Sequence, residues 1–359
     1  MASGTWGSCP WTVNADGLLV VEAGMGEDTY GDVPWHDIDD VVRSVRFEEG
    51  VVLPDMSLGL FGGMTKLEEA DLASCDTSRV RSMASMFNGC TSLRSVDASG
   101  WDVSNVTSMN CLFIDCVSLE SLDASGWDTS SVEDMLYMFC GCASLEKLDV
   151  SGWNTSKALK MSGMFEGCSS LRSLNVSDWE TACVENMSSI FQGCSALKKL
   201  DVSAWDTSRA DNIAHMFDGC SSLKKLDVSG WDVAGVTDMA GVFAGCSALR
   251  KLDVSHWHIA RVTSTAFAFD GCAALKELDF TGWDTSKAQT MDGMFQGCTS
   301  LVRVTTGDSF EMRGEGSFPD ATAKNGKWYS TADSAWYTSE EIISSRSTRK
   351  DTYTSSKRS

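Results

Sequence analysis

The sequence contains no run of about 18 apolar residues, so nothing in it reads as a membrane-spanning helix. It is also short of positive charge. Its 29 lysines and arginines face 50 aspartates and glutamates, a formal net charge of −21. Nucleic acid is thereby excluded as an expected partner, because phosphate binding needs a basic footprint. No G-x-S-x-G, G-x-x-x-x-G-K-[ST] or H-E-x-x-H is present, and only four histidines occur. No C-x-x-C pair exists to hold a metal, so neither a metal nor a cofactor is expected. The first residues, Met1 to Trp6, lack the basic and then apolar segments of an export signal. The chain is thus expected to be either intracellular or a trimmed piece of an exported protein. What the sequence does have is the composition of a folded protein, 43% hydrophobic and 22% charged.

A repeat dominates the text. Phenylalanine recurs every 26 residues from Phe61 and Phe87 to Phe295, and a leucine follows six residues after each, from Leu67 to Leu301. Eight tryptophans share one phase, from Trp101 to Trp283. Each unit has two halves. In the first, Leu226 and Val228 alternate with Lys225, Asp227 and Ser229, the pattern of a strand with one buried face. In the second, Val132, Met135, Met138 and Phe139 follow three-and-four spacing and predict a short helix, with Thr129 or Ser130 as its cap and Gly141 at its end.

A strand and a short helix cannot bury their own apolar faces, whereas stacked copies can. The expected fold is therefore an α/β solenoid of leucine-rich-repeat type. About ten strand–short-helix coils put a parallel sheet on one face and are capped at both ends. Residues 1–56 are expected to form a β-rich N-terminal cap, with a hairpin over Asn14-Ala15-Asp16-Gly17. Residues 57–301 form the solenoid. Residues 302–343 form the C-terminal cap, with Trp328, Tyr329, Trp336 and Tyr337 as packing residues. Residues 344–359, carrying Arg346, Arg349, Lys350, Lys357 and Arg358, are expected to be a basic disordered tail or linker.

The unit G-C-x-S-L-x-x-L-D-V-S-G-W-D-T-S-x-V-x-x-M-x-x-M-F stands almost intact from Gly219 to Phe243. With it, the stretches Gly4 to Trp11 and Trp328 to Ile342 resemble the BspA-like bacterial surface proteins, in their 26-residue-repeat branch. The resemblance implies a secreted or wall-attached protein used for adhesion to host matrix proteins or other cells. It also implies that the chain is the repeat domain of a longer protein, since members carry a signal peptide and an anchor.

Several columns could carry chemistry. Nine cysteines share one phase, from Cys90 to Cys298, and are expected to be buried reduced thiols, with disulfides between coils as the alternative. The tryptophans are expected to fill the turn after the strand; exposed, they would stack ligands. Asp149, Asp201, Asp227 and Asp253 stand two residues after Lys147, Lys199, Lys225 and Lys251 and are expected on the same strand face. The two columns either neutralise each other or form the ligand site. A second aspartate series (Asp102, Asp128, Asp206, Asp232, Asp284) reads as helix caps. One coil departs from the unit, with His256 and His258 around Trp257, and Phe267 expected to fill the gap left by Thr265 and Ala268.

The sequence thus points to a non-catalytic surface module that binds protein or glycan on a host or neighbouring cell. A structural spacer displaying another domain is the alternative, and an enzyme with its site in a cap stands third.

Overall fold

The computed structural model describes residues 2–314, 316–323 and 325–357. It is a β-solenoid of stacked coils, divided into two compact units, Met1–Asn175 and Val176–Ser359. Among the described residues the only helices are the 3-10 turn His36–Ile38 and the α-helix Ser339–Arg346.

The first unit opens on an antiparallel meander of Ala2–Trp6, Cys9–Val13 and Leu18–Val21. The expected hairpin is present: Asn14 Oδ1 accepts the Asp16 and Leu18 amides, and Gly17 takes a φ of 82° at the turn. Leu18–Val21 then pairs in parallel with Ser44–Phe47. The ladder continues through Glu69–Asp71, Ser95–Asp97, Ser121–Leu122 and Lys147–Leu148. Trp35 and Phe47 close the end of the stack, lying 6.1 and 5.8 Å from the Phe61 ring. From there Phe61, Phe87, Phe113, Phe139 and Phe165 form a buried stack at 5.2–5.7 Å.

The short helices are not formed. Each second half is a chain of turns whose amides alternate between two kinds of partner. Met83, Ser85, Phe87 and Gly89 donate to the carbonyls of Ser108, Asn110, Leu112 and Ile114 in the next coil, at 2.8–3.0 Å. Met86, Asn88 and Cys90 donate back three residues, to Met83, Ser85 and Phe87. The cause lies in two left-handed positions per coil, four residues apart, such as Ser85 with Gly89 and Cys111 with Asp115. A right-handed helix cannot pass through them, whereas their alternating geometry turns every second N–H toward the neighbouring coil. The Met and Phe stripe is buried as expected, but by a different backbone.

The helix caps go with the helices. Thr129 is 1% exposed and its hydroxyl donates to the Asn154 carbonyl of the next coil; Thr77 does the same to Asp102, at 2.9 Å. The Asp102 and Asp128 carboxylates accept the amides of Ser104 and Ser130, two residues on, and so close Asx turns.

In the second unit Phe191, Phe217, Phe243, Phe269 and Phe295 stack at 5.7–5.8 Å, and beside them Trp179 stacks with Trp205, and Trp257 with both Trp231 and Trp283, at 6.1–6.4 Å. The indoles fill the turn after the strand, as expected, and are 4% exposed or less here. Their spacing exceeds the roughly 4.8 Å of paired strands. The coils over residues 198–254 make no ladder on this side among the described residues. Instead, the indole N–H groups of Trp205, Trp231 and Trp257 donate to Val176, Val202 and Val228 of the preceding coil. Continuous bridges run on the turn side, Asn186 to Asn212, Asp238, Ser264 and Thr290. The parallel sheet expected on the strand face is thus interrupted over these coils and resumes where Glu277–Phe280 pairs in parallel with Arg303–Thr306.

The unit closes on a five-stranded sheet in the order Glu277–Phe280, Arg303–Thr306, Asp351–Thr354, Trp328–Ser330, Ala335–Tyr337. The stretch 344–359, expected to be a disordered tail, supplies the central strand of that sheet; Arg358 lies outside the described residues. Arg346 and Asp351 are buried together, Nη2 to Oδ2 at 2.7 Å, and Tyr353 is fully buried. Charge composition suggested a solvated tail, but pairing of the charges allows their burial. Trp328 is buried, while Tyr329, Trp336 and Tyr337 are half-exposed. Phe267 does not fill the gap in its coil: it is 46% exposed, in a left-handed conformation.

Candidate functional site

The strand side presents the charge columns. From Leu223 to Val228 a buried leucine, two exposed residues, a second buried leucine, an exposed aspartate and a buried valine succeed one another, and the same order recurs from Leu145 to Val150, Leu197 to Val202 and Leu249 to Val254. Lys147 and Asp149 lie in the first unit; Lys199, Lys225, Lys251, Asp201, Asp227 and Asp253 lie on successive coils of the second. All eight are exposed.

The columns do not neutralise each other. None of the four lysines forms an ion pair with a described residue. Each aspartate instead accepts the amide and hydroxyl of the serine two residues on. The Ser151 amide and hydroxyl reach Asp149 at 3.0 and 2.7 Å, and Ser229 reaches Asp227 at 3.1 and 2.7 Å. Ser203 and Ser255 hold Asp201 and Asp253 alike. These bonds favour the ionised form, so the serines hold the Asp149, Asp201 and Asp253 carboxyls below the usual carboxylate range. The aspartates thus fix the turn that leads to the tryptophan, and the ammonium groups beside them stay available.

Sequence reasoning missed a second column of cations. Lys198, Lys224, Arg250 and Lys276 each precede the corresponding position by one residue, and all are exposed. The signal was present in the Lys198-Lys199 and Lys224-Lys225 pairs. A strict in-and-out alternation hides one member of each pair, but the corner where the chain enters the strand exposes both.

The cysteine column is buried, and its members are free thiols. Sγ–H groups of the column donate to the carbonyl of a phenylalanine in an earlier coil, as Cys90 does to Phe61 at 3.1 Å and Cys246 to Phe217 at 3.2 Å. Burial pushes Cys90 and Cys220 up to about 12 and raises Cys142, Cys168 and Cys246 well above the ordinary thiol value. These thiols are poor nucleophiles and poor ligands. Among the described residues no group of three or more His, Cys, Asp or Glu is placed to hold a metal ion, and His256 and His258 are both exposed. A cavity of about 660 Å³ near the C-terminal cap is lined by Phe267, Asp292, Gln296, Phe318, Pro319 and Asp320, among others, without a histidine or cysteine. No described helix is long and apolar enough to cross a membrane.

Solved structures similar to this chain include three bacterial proteins. A leucine-rich-repeat protein from Eubacterium ventriosum is 16% identical over 83% of this chain and 95% of its own, with a TM-score of 0.32. A leucine-rich cell-surface protein from Faecalibacterium prausnitzii is 17% identical over 85% and 94%, with a TM-score of 0.38. An internalin from Listeria monocytogenes is 12% identical over 81% and 80%, with a TM-score of 0.29. At such scores the likenesses carry no argument, and the fold rests on the coils themselves. No curated protein matches significantly. A family model described as "Mycoplasma protein of unknown function, DUF285" matches residues 55–172, 145–226 and 222–314, which together span more than half of the sequence and nearly all of the repeat. The chain belongs to the DUF285 family.

Proposed function

We propose that this chain is a non-catalytic binding module, secreted or attached to the cell wall, that recognises protein or glycan on a host or neighbouring cell through its strand side. One observation carries the reading. A chain of net charge −21 displays exposed, unpaired cations in register on one side, at Lys199, Lys225 and Lys251, while the repeated phenylalanines, tryptophans, cysteines and aspartates are engaged in packing and turns. Groups that a fold leaves free at equivalent positions are free to meet a ligand. The resemblance of the repeat and its flanks to BspA-like surface proteins supports the placement outside the cell and the adhesive role. Reversal of charge at Lys199, Lys225 and Lys251 tests it: saturable binding to target cells is lost while thermal unfolding stays unchanged. Attachment equal to that of the unaltered protein refutes the strand-side reading.

The regularity of the buried columns favours a second reading, a spacer that displays another domain. A spacer tolerates deletion of one whole coil with no change in attachment, whereas a binding face loses affinity.

A further inference from the structure

We propose that the paired cation columns of the second unit, Lys198 with Lys199, Lys224 with Lys225, and Arg250 with Lys251, bind an acidic polysaccharide that carries sulfate or uronate groups together with free hydroxyls. The inference rests on the strand-side reading and narrows its partner. Three features of that face select the class. The first is that it is a charge lattice without an anchor. The exposed large apolar side chains, Met25, Tyr30, Val41, Val117, Leu159 and Phe267, all lie elsewhere, and the residues flanking the cations are small: Ser195, Ala196, Ser221, Ser222, Ser247 and Ala248. Stable protein partners draw their affinity from aromatic or aliphatic anchors seated in pockets, and this face offers none. A flexible polyanion needs only spaced cations.

The second feature is the repeat itself. The cation pairs recur once per coil, alongside indoles that stack at 6.1–6.4 Å, so charge is offered at regular intervals along a line. This suits a linear polymer with regularly repeated anions. The third is the aspartate column. Asp201, Asp227 and Asp253 stand two residues from Lys199, Lys225 and Lys251 and each accepts from the serine two residues on; Ser203 and Ser255 thereby hold Asp201 and Asp253 below the usual carboxylate range. A ligand bearing anions alone is repelled there. One that bears hydroxyls beside its anions places O–H donors on the carboxylates and anions on the ammonium groups. Single-stranded nucleic acid fits poorly, because no aromatic side chain is exposed on this face to stack a base.

The test uses the full chain with a heparin octasaccharide as probe, at low and moderate salt, and compares a poly-glutamate of equal charge. Saturable binding to the octasaccharide is expected, at least tenfold tighter than to poly-glutamate. The triple variant Lys198→Gln, Lys224→Gln, Arg250→Gln weakens it at least tenfold and lowers the salt dependence by about one per cation removed. The variant Lys198→Arg, Lys224→Arg keeps binding. Equal affinity for poly-glutamate, no loss in the glutamine variant, or no binding at all overturns the proposal. If the charge reversals at Lys199, Lys225 and Lys251 abolish cell attachment while the octasaccharide fails to bind, this inference falls and the strand-side reading stands.

Discussion

Mild alkali destabilises this protein, and the buried thiols set the size of the effect. Burial keeps the column cysteines protonated in the native form, among them Cys90, Cys116, Cys142 and Cys168 in the first unit, and Cys220, Cys246, Cys272 and Cys298 in the second. In the unfolded chain these thiols ionise near the ordinary value of 9.0. A folded value above the unfolded one means that the stabilisation is complete below about pH 9 and is lost as pH rises toward 12. At about pH 10, one unit past the unfolded midpoint, each thiol gives the unfolded state about 1.4 kcal/mol. Four of them cost a unit about 6 kcal/mol, as much as the entire stability of many domains. The measurement is the urea midpoint, followed by circular dichroism under a phosphine reductant, from pH 8 to 10. Replacing Cys246 by Ala lowers the pH slope of the second unit. A midpoint that stays flat across that range refutes the account of the column.

Two further outcomes follow from the packing. Phe217→Ala removes a fully buried ring stacked between Phe191 and Phe243 at 5.8 Å on either side, and destabilises the second unit by about 3–5 kcal/mol in denaturant titration; a loss below about 1 kcal/mol argues against a close-packed column. Gly219→Ala places a Cβ at φ 75° and 3.3 Å from the Gly193 Cα, and costs about 1–2 kcal/mol in the same assay; a neutral result shows that the left-handed turn is not required.

Much of this architecture was legible because burial repeats with the chain. Phe113, Phe139 and Phe165 share one phase and one environment, so stacking could be read from spacing alone. The helix that the spacing of Met135, Met138 and Phe139 suggested was wrong, since three-and-four periodicity reports which side chains face inward and not where each amide sends its hydrogen bond. The left-handed column was masked for the same reason: Gly59, Gly163, Gly241 and Gly293 alternate with Ser85, Cys111, Tyr137, Ser189, His215 and Phe267, and the non-glycine members hide the backbone demand. At the C-terminus, Arg346 and Asp351 looked solvated because the sequence shows two charges and not that they meet. Lys147, Lys199, Lys225 and Lys251 and the four aspartates beside them all lie on the surface, but no ion pair joins them, because Ser151, Ser203, Ser229 and Ser255 take up the carboxylates.

The handing of amide hydrogens from Met83, Ser85, Phe87 and Gly89 to the succeeding coil has a consequence for heredity. Inside a unit, a coil recognises only another coil of the same register, so gain or loss of one complete repeat by unequal recombination leaves each remaining junction chemically identical. A partial insertion shifts every later thiol, ring and turn out of phase at once. Length is therefore free to drift in whole repeats, while the text within a repeat is held fast.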